Sequence, residues 1–325
     1  MPAEQHRQVT ADEISSYQRD GVVCLRQIVA VDDIQSLATA IDQAVHTLGA
    51  SPSGYDLTRI RKAVEAEDLQ SLMKESGGQY NVVGLAAAAI SSKLPMLVDN
   101  GEPDAGQGGR FLLDTGVAAR IVSFREFTLY GPGGAIAAAL MGSTSVNFYD
   151  DQIFVKEAGT RERTAYHQDG SYFHLEGDQI CTLWIPVDPV ESAFSVRYVR
   201  GSHRWGKTYK PNVFLSQMSF PGAEGETLPD IDGHEKDYDI VSFDLDPGDV
   251  VVHHHLTVHG APGNTGPRLR RAAGVRYCGD DVRYRHRPFA PAQLHHKHTL
   301  RDGDPICCEQ FPNVWPTVRE RHQAA

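Results

Sequence analysis

The sequence predicts a mainly β protein with flanking helices, whose core is a sandwich, a barrel or a jelly roll. From about residue 145, short runs rich in β-branched and aromatic residues alternate with Gly, Pro, Asp and Asn, as in short strands joined by turns. Before that point, apolar residues recur at helical spacing. We expect one domain over 1–325, with a helix-rich part (1–144), a β core (145–290) and a tail (291–325).

The N-terminal elements begin with a predicted helix over 10–20, for which Thr10 is the expected N-cap. Glu13, three residues later, completes the capping-box pattern. A short strand is predicted over 21–25, and apolar residues at helical spacing predict a second helix over 32–48. Further helical segments are predicted, partly over 57–76 and then over 120–130 and 135–141.

The β core is predicted from six runs with strand composition, over 146–155, 180–187, 194–199, 241–245, 249–255 and 271–277. The stretch 205–239 is rich in Pro, Gly and acidic residues and shows no period. A stretch of that length without its own secondary structure is commonly functional, so we interpret it as a lid-like insertion over a site.

Charge and cysteine content exclude several classes. The formal net charge of −11 argues against a nucleic-acid-binding protein, which needs a basic face. The five cysteines show no C-x-x-C spacing, so neither a disulfide framework nor a thiolate zinc site is indicated, and we expect a cytoplasmic protein. No signal peptide or membrane span is expected. The expected partner is a small-molecule substrate; a homo-oligomer is compatible with these features.

The motif that points to chemistry is His167-Gln168-Asp169. In an extended strand, residues i and i+2 face the same side, so an imidazole and a carboxylate can meet at one point. A third ligand from His259, far downstream, would complete a 2-His-1-carboxylate triad. This arrangement is typical of non-haem Fe(II) oxygenases and leaves open positions on the metal.

The distal histidines allow other interpretations. His255 and His259 could form an i,i+4 zinc pair on a helix, but the preceding run is β-branched and Gly260 would interrupt the helix. We interpret His253 and His254 as strand residues with no metal role, and His255 as support for a ligand.

A group of arginines follows the distal histidine, at positions 268, 270 and 271. An exposed basic edge is the simpler interpretation of this group. The alternative is recognition of a dicarboxylate, because a 2-oxo acid bound to a metal at one end needs a cation at the other. Arginine provides bidentate contacts and a permanent charge for that purpose.

Several motifs together, in their order along the chain, resemble the phytanoyl-CoA dioxygenase family of Fe(II)/2-oxoglutarate-dependent oxygenases. The matching segments are 10–14 with 20–23, His167-Gln168-Asp169, Gly201-Ser202-His203, Pro247-Gly248-Asp249, 255–260 with Asn264, and Arg270-Arg271-Ala272.

This resemblance implies a double-stranded β-helix (jelly-roll, cupin-like) core. It also implies Fe(II), 2-oxoglutarate as co-substrate and O2, with hydroxylation of a substrate and formation of succinate and CO2. His167, Asp169 and His259 would be the metal ligands and the catalytic centre. Arg270 would bind the distal carboxylate of 2-oxoglutarate, and Gln152 would contact the co-substrate.

Other positions differ from the family or leave alternatives open. Trp184 is similar to an aromatic residue that lines the pocket, although a core tryptophan is an equal interpretation. Ala261 stands where many relatives carry a serine, and Ala193-Phe194-Ser195 replaces an Asn-Gly-Cys-like run, so substrate identity cannot be transferred from a relative. The retained carboxylate of Asp169 favours hydroxylation over halogenation.

The candidate substrate contacts are Tyr166, Tyr172, Phe173, His174 and Arg197. For Arg197, an exposed strand position is the favoured interpretation. Two rival functions stay open at this point: a metal-dependent cupin-type enzyme that does not use 2-oxoglutarate, and a jelly-roll binding protein without catalysis.

Overall fold

The fold was analysed in a computed structural model that describes residues 7–68, 70, 97–99, 108–220, 222–288, 290, 293 and 295–316. In this part of the chain, two antiparallel β-sheets pack against each other, and helices cover the outer face of the larger sheet. The predicted mainly β fold with flanking helices is confirmed.

The helices follow the predicted pattern closely. They are α1 (Ala11–Asp20), α2 (Val31–His46), α3 (Leu57–Glu65), α4 (Val122–Tyr130) and α5 (Gly133–Met141). Thr10 caps α1, with both hydrogen bonds of the capping box to Glu13 present. Of the helical segment predicted over 57–76, α3 forms the first part, while position 69 and positions 71–76 lie outside the described residues.

The strands, in chain order, are β1 (Val22–Leu25), β2 (Gly54–Asp56), β3 (Phe111–Thr115), β4 (Val146–Lys156), β5 (Thr164–His167), β6 (Leu175–Glu176), β7 (Ile180–Pro186), β8 (Arg197–Val199), β9 (Ile240–Val241), β10 (Val250–His254), β11 (His259–Ala261), β12 (Arg270–Cys278), β13 (Arg283–Tyr284) and β14 (Asn313–Trp315). The larger sheet has the order β1-β10-β7-β12-β4-β3-β2, with β14 also paired to β4. The smaller sheet has the order β5-β11-β8-β9, and β13 pairs with β6.

The predicted and observed strands differ at several places, and the short strands β6, β11, β13 and β14 were not predicted. The run 194–199 is a 3-10 helix (Ser192–Phe194) followed by the short β8, and of 241–245 only Val241 lies in a strand. β2 and β3 come from the part predicted as helix-rich, yet they extend the larger sheet beside β4. Their short length left no clear alternating pattern in the sequence.

The two faces of the larger sheet bury different groups, because side chains alternate along each strand. Leu183, Val252 and Val275 point outward into a core shared with α2, α4 and α5. Trp184 and Val251 point inward and pack with residues of β8 and β11 in the smaller sheet. Polar residues on the inward face are therefore enclosed between the two sheets.

The segment 205–239, predicted as a lid-like insertion, contains a 3-10 helix (Glu235–Asp237) and isolated bridges. It contributes no strand to the sheets described above. Among the helices of the described residues, none combines the length and the apolar character needed to cross a membrane.

Candidate metal centre

Two of the predicted ligands face each other on neighbouring strands of the smaller sheet. His167 ends β5 and His259 begins β11, and the antiparallel register pairs them directly. Directly paired residues project to the same face of a sheet. Their ring centroids are accordingly 4.3 Å apart. Asp169 begins the 3-10 helix (Asp169–Ser171) after β5, and its carboxylate reaches both imidazoles.

The distances in this cluster suit a single metal ion. The Nε2 atoms of His167 and His259 lie 3.6 Å and 3.7 Å from Oδ1 of Asp169. One ligand atom from each residue falls within 4.8 Å of the others. Two atoms that are each about 2.1 Å from an ion can be at most about 4.2 Å apart, so both distances to the carboxylate are compatible with a shared ion.

Backbone carbonyls orient both imidazoles in the same way. Nδ1 of His167 lies 2.8 Å from the carbonyl oxygen of Ala165, and Nδ1 of His259 lies 2.9 Å from that of Thr257. A carbonyl oxygen only accepts, so Nδ1 carries the proton and donates it in each ring. The lone pair is then on Nε2, the atom that faces Asp169, as metal ligation requires.

The two oxygens of Asp169 have different partners. Oδ2 accepts a hydrogen bond from Oγ1 of Thr182 at 2.7 Å, and it lies 3.5 Å from Nε2 of His253 and 3.7 Å from Nε of Arg276. Oδ1 faces the two predicted ligand histidines. Burial would raise the pKa of Asp169, but Arg276, His167 and His253 reverse this and hold the pKa well below its usual range. The carboxylate is thus ionised and oriented for a cation.

Arg270, the predicted partner of the distal carboxylate, is buried at the first position of β12. Its guanidinium donates to the carbonyl oxygen of Phe194, while its Nε has no hydrogen-bond partner among the described residues. Burial lowers the pKa of Arg270 to about 10. A buried cation without an acid to balance it is costly, and such a group is expected where an anion binds.

Two hydroxyl groups near Arg270 also lack partners. The ring of Tyr198 stacks on His259 at 5.7 Å between centroids, and its buried hydroxyl has no hydrogen-bond partner in the described structure. The same holds for Oγ of Ser195, which follows the carbonyl that Arg270 contacts. Ala261, where relatives carry a serine, is buried in the same interior cluster as Tyr198.

Gln152 and Phe173 are connected to the centre through Arg276. Nη2 of Arg276 donates to Oε1 of Gln152 at 2.8 Å, and the guanidinium carbon lies 5.5 Å from the centroid of the Phe173 ring. Nε and Nη1 of Arg276 have no hydrogen-bond partner among the described residues. Trp184 packs in the interior between the two sheets, as a core tryptophan does, and its role in lining a pocket stays a prediction.

Aromatic rings cover one side of His167. The ring of Tyr172 lies 5.6 Å from the imidazole centroid, and the ring of Phe214 lies 5.3 Å from it. Tyr172 also donates from its hydroxyl to the carbonyl oxygen of Asn212 at 2.7 Å. Phe214 and Asn212 belong to the segment 205–239, which therefore contacts the centre directly.

Three candidate substrate contacts have their observed partners outside the cluster of His167, Asp169 and His259. Tyr166 precedes His167 in β5, so its side chain faces the opposite side, where its hydroxyl donates to Glu235 at 3.0 Å. Arg197 donates to the same carboxylate at 2.8 Å. His174 stacks on His286 at 5.2 Å, in the C-terminal part of the chain.

Sequence reasoning missed three residues that contact Asp169. His253 was interpreted as a strand residue with no metal role, yet its ring lies 4.4 Å from that of His259. Thr182 and Arg276 were not singled out. Residues an even number of positions apart on a strand face the same side, and this rule could have identified two of them. His253 is two residues from the inward Val251, and Arg276 is six residues from Arg270 on the same strand.

His255 supports the centre by packing. The backbone N–H of Gly170 donates to the carbonyl oxygen of His255 at 2.9 Å. A Cβ atom on Gly170 would lie 2.4 Å from Nδ1 of this imidazole, so the close approach requires glycine next to Asp169. His254 instead has its Nε2 atom 3.3 Å from a carboxylate oxygen of Asp178.

The fold and the site define a class of protein: two facing antiparallel sheets that enclose two histidines, one carboxylate and a buried arginine whose Nε has no hydrogen-bond partner among the described residues. The sequence profile of the family "Phytanoyl-CoA dioxygenase (PhyH)" matches residues 17–272. The chain belongs to this family of Fe(II)/2-oxoglutarate-dependent oxygenases.

A curated relative and solved structures extend the comparison. "Probable phytanoyl-CoA dioxygenase" of Caenorhabditis elegans is 29% identical over 126 residues, which are 37% of this chain and 38% of the relative. The aligned part therefore spans well under half of that relative's length.

Three crystal structures have a similar fold. The non-heme alpha-ketoglutarate-dependent carbocyclase SnoK from nogalamycin biosynthesis is 21% identical with a TM-score of 0.60, covering 94% of this chain and 96% of that one. The epimerase SnoN from the same biosynthesis is 17% identical with a TM-score of 0.58, and the match covers 93% of this chain and 97% of SnoN. EctD from S. alaskensis, in a structure with 2-oxoglutarate and 5-hydroxyectoine, is 17% identical with a TM-score of 0.56, and the match covers 91% of this chain and 85% of EctD. These similarities confirm the predicted jelly-roll fold.

Proposed function

We propose that this protein uses Fe(II), 2-oxoglutarate and O2 to hydroxylate an unactivated C–H bond of a small molecule. The observation that carries the proposal is the buried guanidinium of Arg270, which none of the ion pairs among the described residues joins to an acid. Tyr198 links it to the histidine–aspartate cluster, because this residue interacts with Arg270 and stacks on His259. A dicarboxylate such as 2-oxoglutarate could bind the metal with one end and the guanidinium with its other carboxylate.

The donor set fits iron. His167 and His259 present neutral Nε2 atoms, and Asp169 presents an ionised oxygen held in place by Thr182. These three residues would hold the ion and would leave coordination positions for the co-substrate and O2. A charged carboxylate at position 169 also blocks the place that a halide would need, which favours hydroxylation.

Arg270 is the proposed partner of the distal carboxylate of 2-oxoglutarate. The hydroxyl groups of Tyr198 and Ser195 are the proposed further donors, because both are buried without partners and Ala261 lacks a hydroxyl. An unpaired buried polar group costs about 1–3 kcal/mol, and binding of an anion would remove that cost. Arg276 and Gln152 would support the ligand Asp169 and the metal-proximal end of the co-substrate.

When bound, iron and 2-oxoglutarate supply the oxidising chemistry, with formation of succinate and CO2 and transfer of one oxygen atom to substrate. The protein's own part is to position substrate and exclude water. Tyr172 and Phe214 would form the wall against which substrate packs, beside His167. The segment 205–239 would act as a lid, fastened where Arg197 and Tyr166 both bind Glu235.

The proposal is tested by adding 2-oxoglutarate to the Fe(II)-loaded protein without oxygen. Chelation of iron by the keto acid should produce a visible charge-transfer band, and admission of O2 should convert 2-oxoglutarate to succinate. His259→Gln should abolish both signals, whereas His234→Gln, at an exposed position of the segment 205–239, should retain them.

Oxygen-isotope labelling of a turned-over substrate should place one atom from O2 in the product. Iron binding without the band would favour a cupin-type enzyme that does not use 2-oxoglutarate. The band without product across a broad substrate panel would favour a binding protein.

A further inference from the structure

A second group of two imidazoles and one carboxylate lies outside the proposed catalytic centre. It consists of Asp150 in β4 and His295 and His296 in the C-terminal segment. Nε2 of His295 lies 2.7 Å from Oδ1 of Asp150, and Nε2 of His296 lies 3.6 Å from the same oxygen. One ligand atom from each residue falls within 4.8 Å of the others, so the donor set repeats that of the triad.

His296 is the residue that hydrogen bonding does not explain. Its side chain is only 5% exposed, and its Nε2 has no hydrogen-bond partner among the described residues. Oδ1 of Asp150, at 3.6 Å, is too distant for a hydrogen bond with this nitrogen and is already bonded to His295. A buried nitrogen without a partner costs about 1–3 kcal/mol, and an ion between it and the carboxylate would remove this cost.

The surroundings provide access and contain further ionisable groups. A cavity of about 370 Å³ adjoins the cluster and is lined by Asp150 and His295, so water could complete the coordination. Asp151, the next residue, is a second buried carboxylate, held by the backbone N–H groups of Val117 and Ala118 at 2.6 Å and 3.1 Å. Arg125 and Lys297 also line the cavity, but none of the described ion pairs joins either of them to Asp150.

We propose that Asp150, His295 and His296 form a second metal site, which binds Zn²⁺ and fastens the C-terminal segment to β4. Two imidazole nitrogens, one carboxylate oxygen and a water molecule are an established zinc donor set. Zinc binding would displace the proton that lies between Nε2 of His295 and Oδ1 of Asp150. These two atoms would then move to about 3 Å or more from each other, as two ligands of one ion require.

The ion would hold a segment that has little regular structure of its own. Within 295–316, β14 is the strand that pairs with β4, and its register is irregular. The rings of His296 and Phe311 pack at 5.0 Å between centroids, so His296 contacts the part of this segment that precedes β14. Unlike the triad, this site would serve the stability of the native state and not turnover.

Zinc binding is measured on tag-free protein from which metal has been removed with a chelator. The protein used as background carries two substitutions that disable the other two candidate metal-binding clusters. His259→Gln disables the triad, and Asp178→Asn disables the group of Asp178, His254 and His255. We expect this background to retain one Zn²⁺ per chain by equilibrium dialysis and elemental analysis, and to unfold at a higher temperature with Zn²⁺ than without it.

Adding His296→Gln should weaken Zn²⁺ binding by at least about tenfold, since even the partners of metal ligands contribute about 10–100-fold. The matched control is His298→Gln, because His298 also packs on Phe311 but lies outside the cluster. Absence of zinc from the background protein, or equal affinity of the two variants, would overturn the proposal.

If His296→Gln does not fold, X-ray absorption spectroscopy of the zinc-loaded background protein tests the site instead, because it identifies the ligands of the ion. Two imidazoles and a carboxylate around the ion support the site, and any other ligand set refutes it.

Discussion

Replacement of Arg270 by glutamine tests the proposed co-substrate site, because the guanidinium is buried and has no acidic partner in the part of the chain that the structure describes. A hydrogen bond to a charged group contributes about 1.5–3 kcal/mol. Loss of that contribution corresponds to about 10–150-fold weaker binding of 2-oxoglutarate. Without 2-oxoglutarate the same change should alter the free energy of unfolding little, because it also removes a buried charge that has no counter-ion.

Two measurements separate these effects. The dissociation constant of 2-oxoglutarate is obtained by anaerobic titration of the Fe(II) protein, and stability is obtained by urea unfolding with and without 2-oxoglutarate. The wild-type protein should gain stability from the ligand in proportion to its affinity, and Arg270→Gln should lose most of that gain. Arg268→Gln, two residues away and exposed, is the control and should behave as wild type.

The reasoning would be refuted if Arg270→Gln bound 2-oxoglutarate within about twofold of wild type, which is under about 0.5 kcal/mol. Strong destabilisation of the variant without any ligand would also contradict it. That result would mean that the hydrogen bond to the carbonyl of Phe194, and not anion binding, accounts for the buried arginine.

Three further predictions follow from contacts around the centre and at the turn before β10. Thr182→Val keeps the side-chain shape but removes the donor to Oδ2 of Asp169, so Fe(II) affinity in a metal titration should fall about 10–100-fold, and unchanged affinity would contradict the proposed orientation. Arg276→Met removes the cation near the same oxygen and should lower Fe(II) affinity about tenfold or more, whereas Arg283→Met, at an exposed position, should leave it unchanged. Asp249→Asn weakens hydrogen bonds from the backbone N–H of Gln27 and from Arg26; burial tends to raise the pKa of Asp249, but these bonds lower it overall. A lowered pKa means that this stability is present above about pH 4 and is lost as the pH falls through the native-state pKa. The variant should therefore unfold about 1–3 kcal/mol more easily than wild type at pH 7, and the difference in urea unfolding should shrink toward pH 3; a constant difference would disprove the charge effect.

Local patterns were sufficient for the described helices, for most strands of the larger sheet and for the motif that joins His167 and Asp169. The capping box at Thr10 and the turn at Asp249 depend on residues close in sequence, so they are readable without a structure. His167 and Asp169 are separated by one residue, and their motif predicts a shared target. The roles of His259 and Arg270 depended on the resemblance to the family, because the residues next to them in the sequence do not show where they lie in space.

The amino-acid sequence by itself determined the mainly β class, the family and the three side chains proposed to hold iron. Tertiary structure alone decided which further groups surround them. The register of β10 and β12 brings His253 and Arg276 to Asp169, and the path of the segment 205–239 places Phe214 on His167. The physical reason is that strand pairing joins residues far apart in the chain, and a shift of the register by one position would turn the side chains of His253 and Arg276 to the opposite face of the sheet.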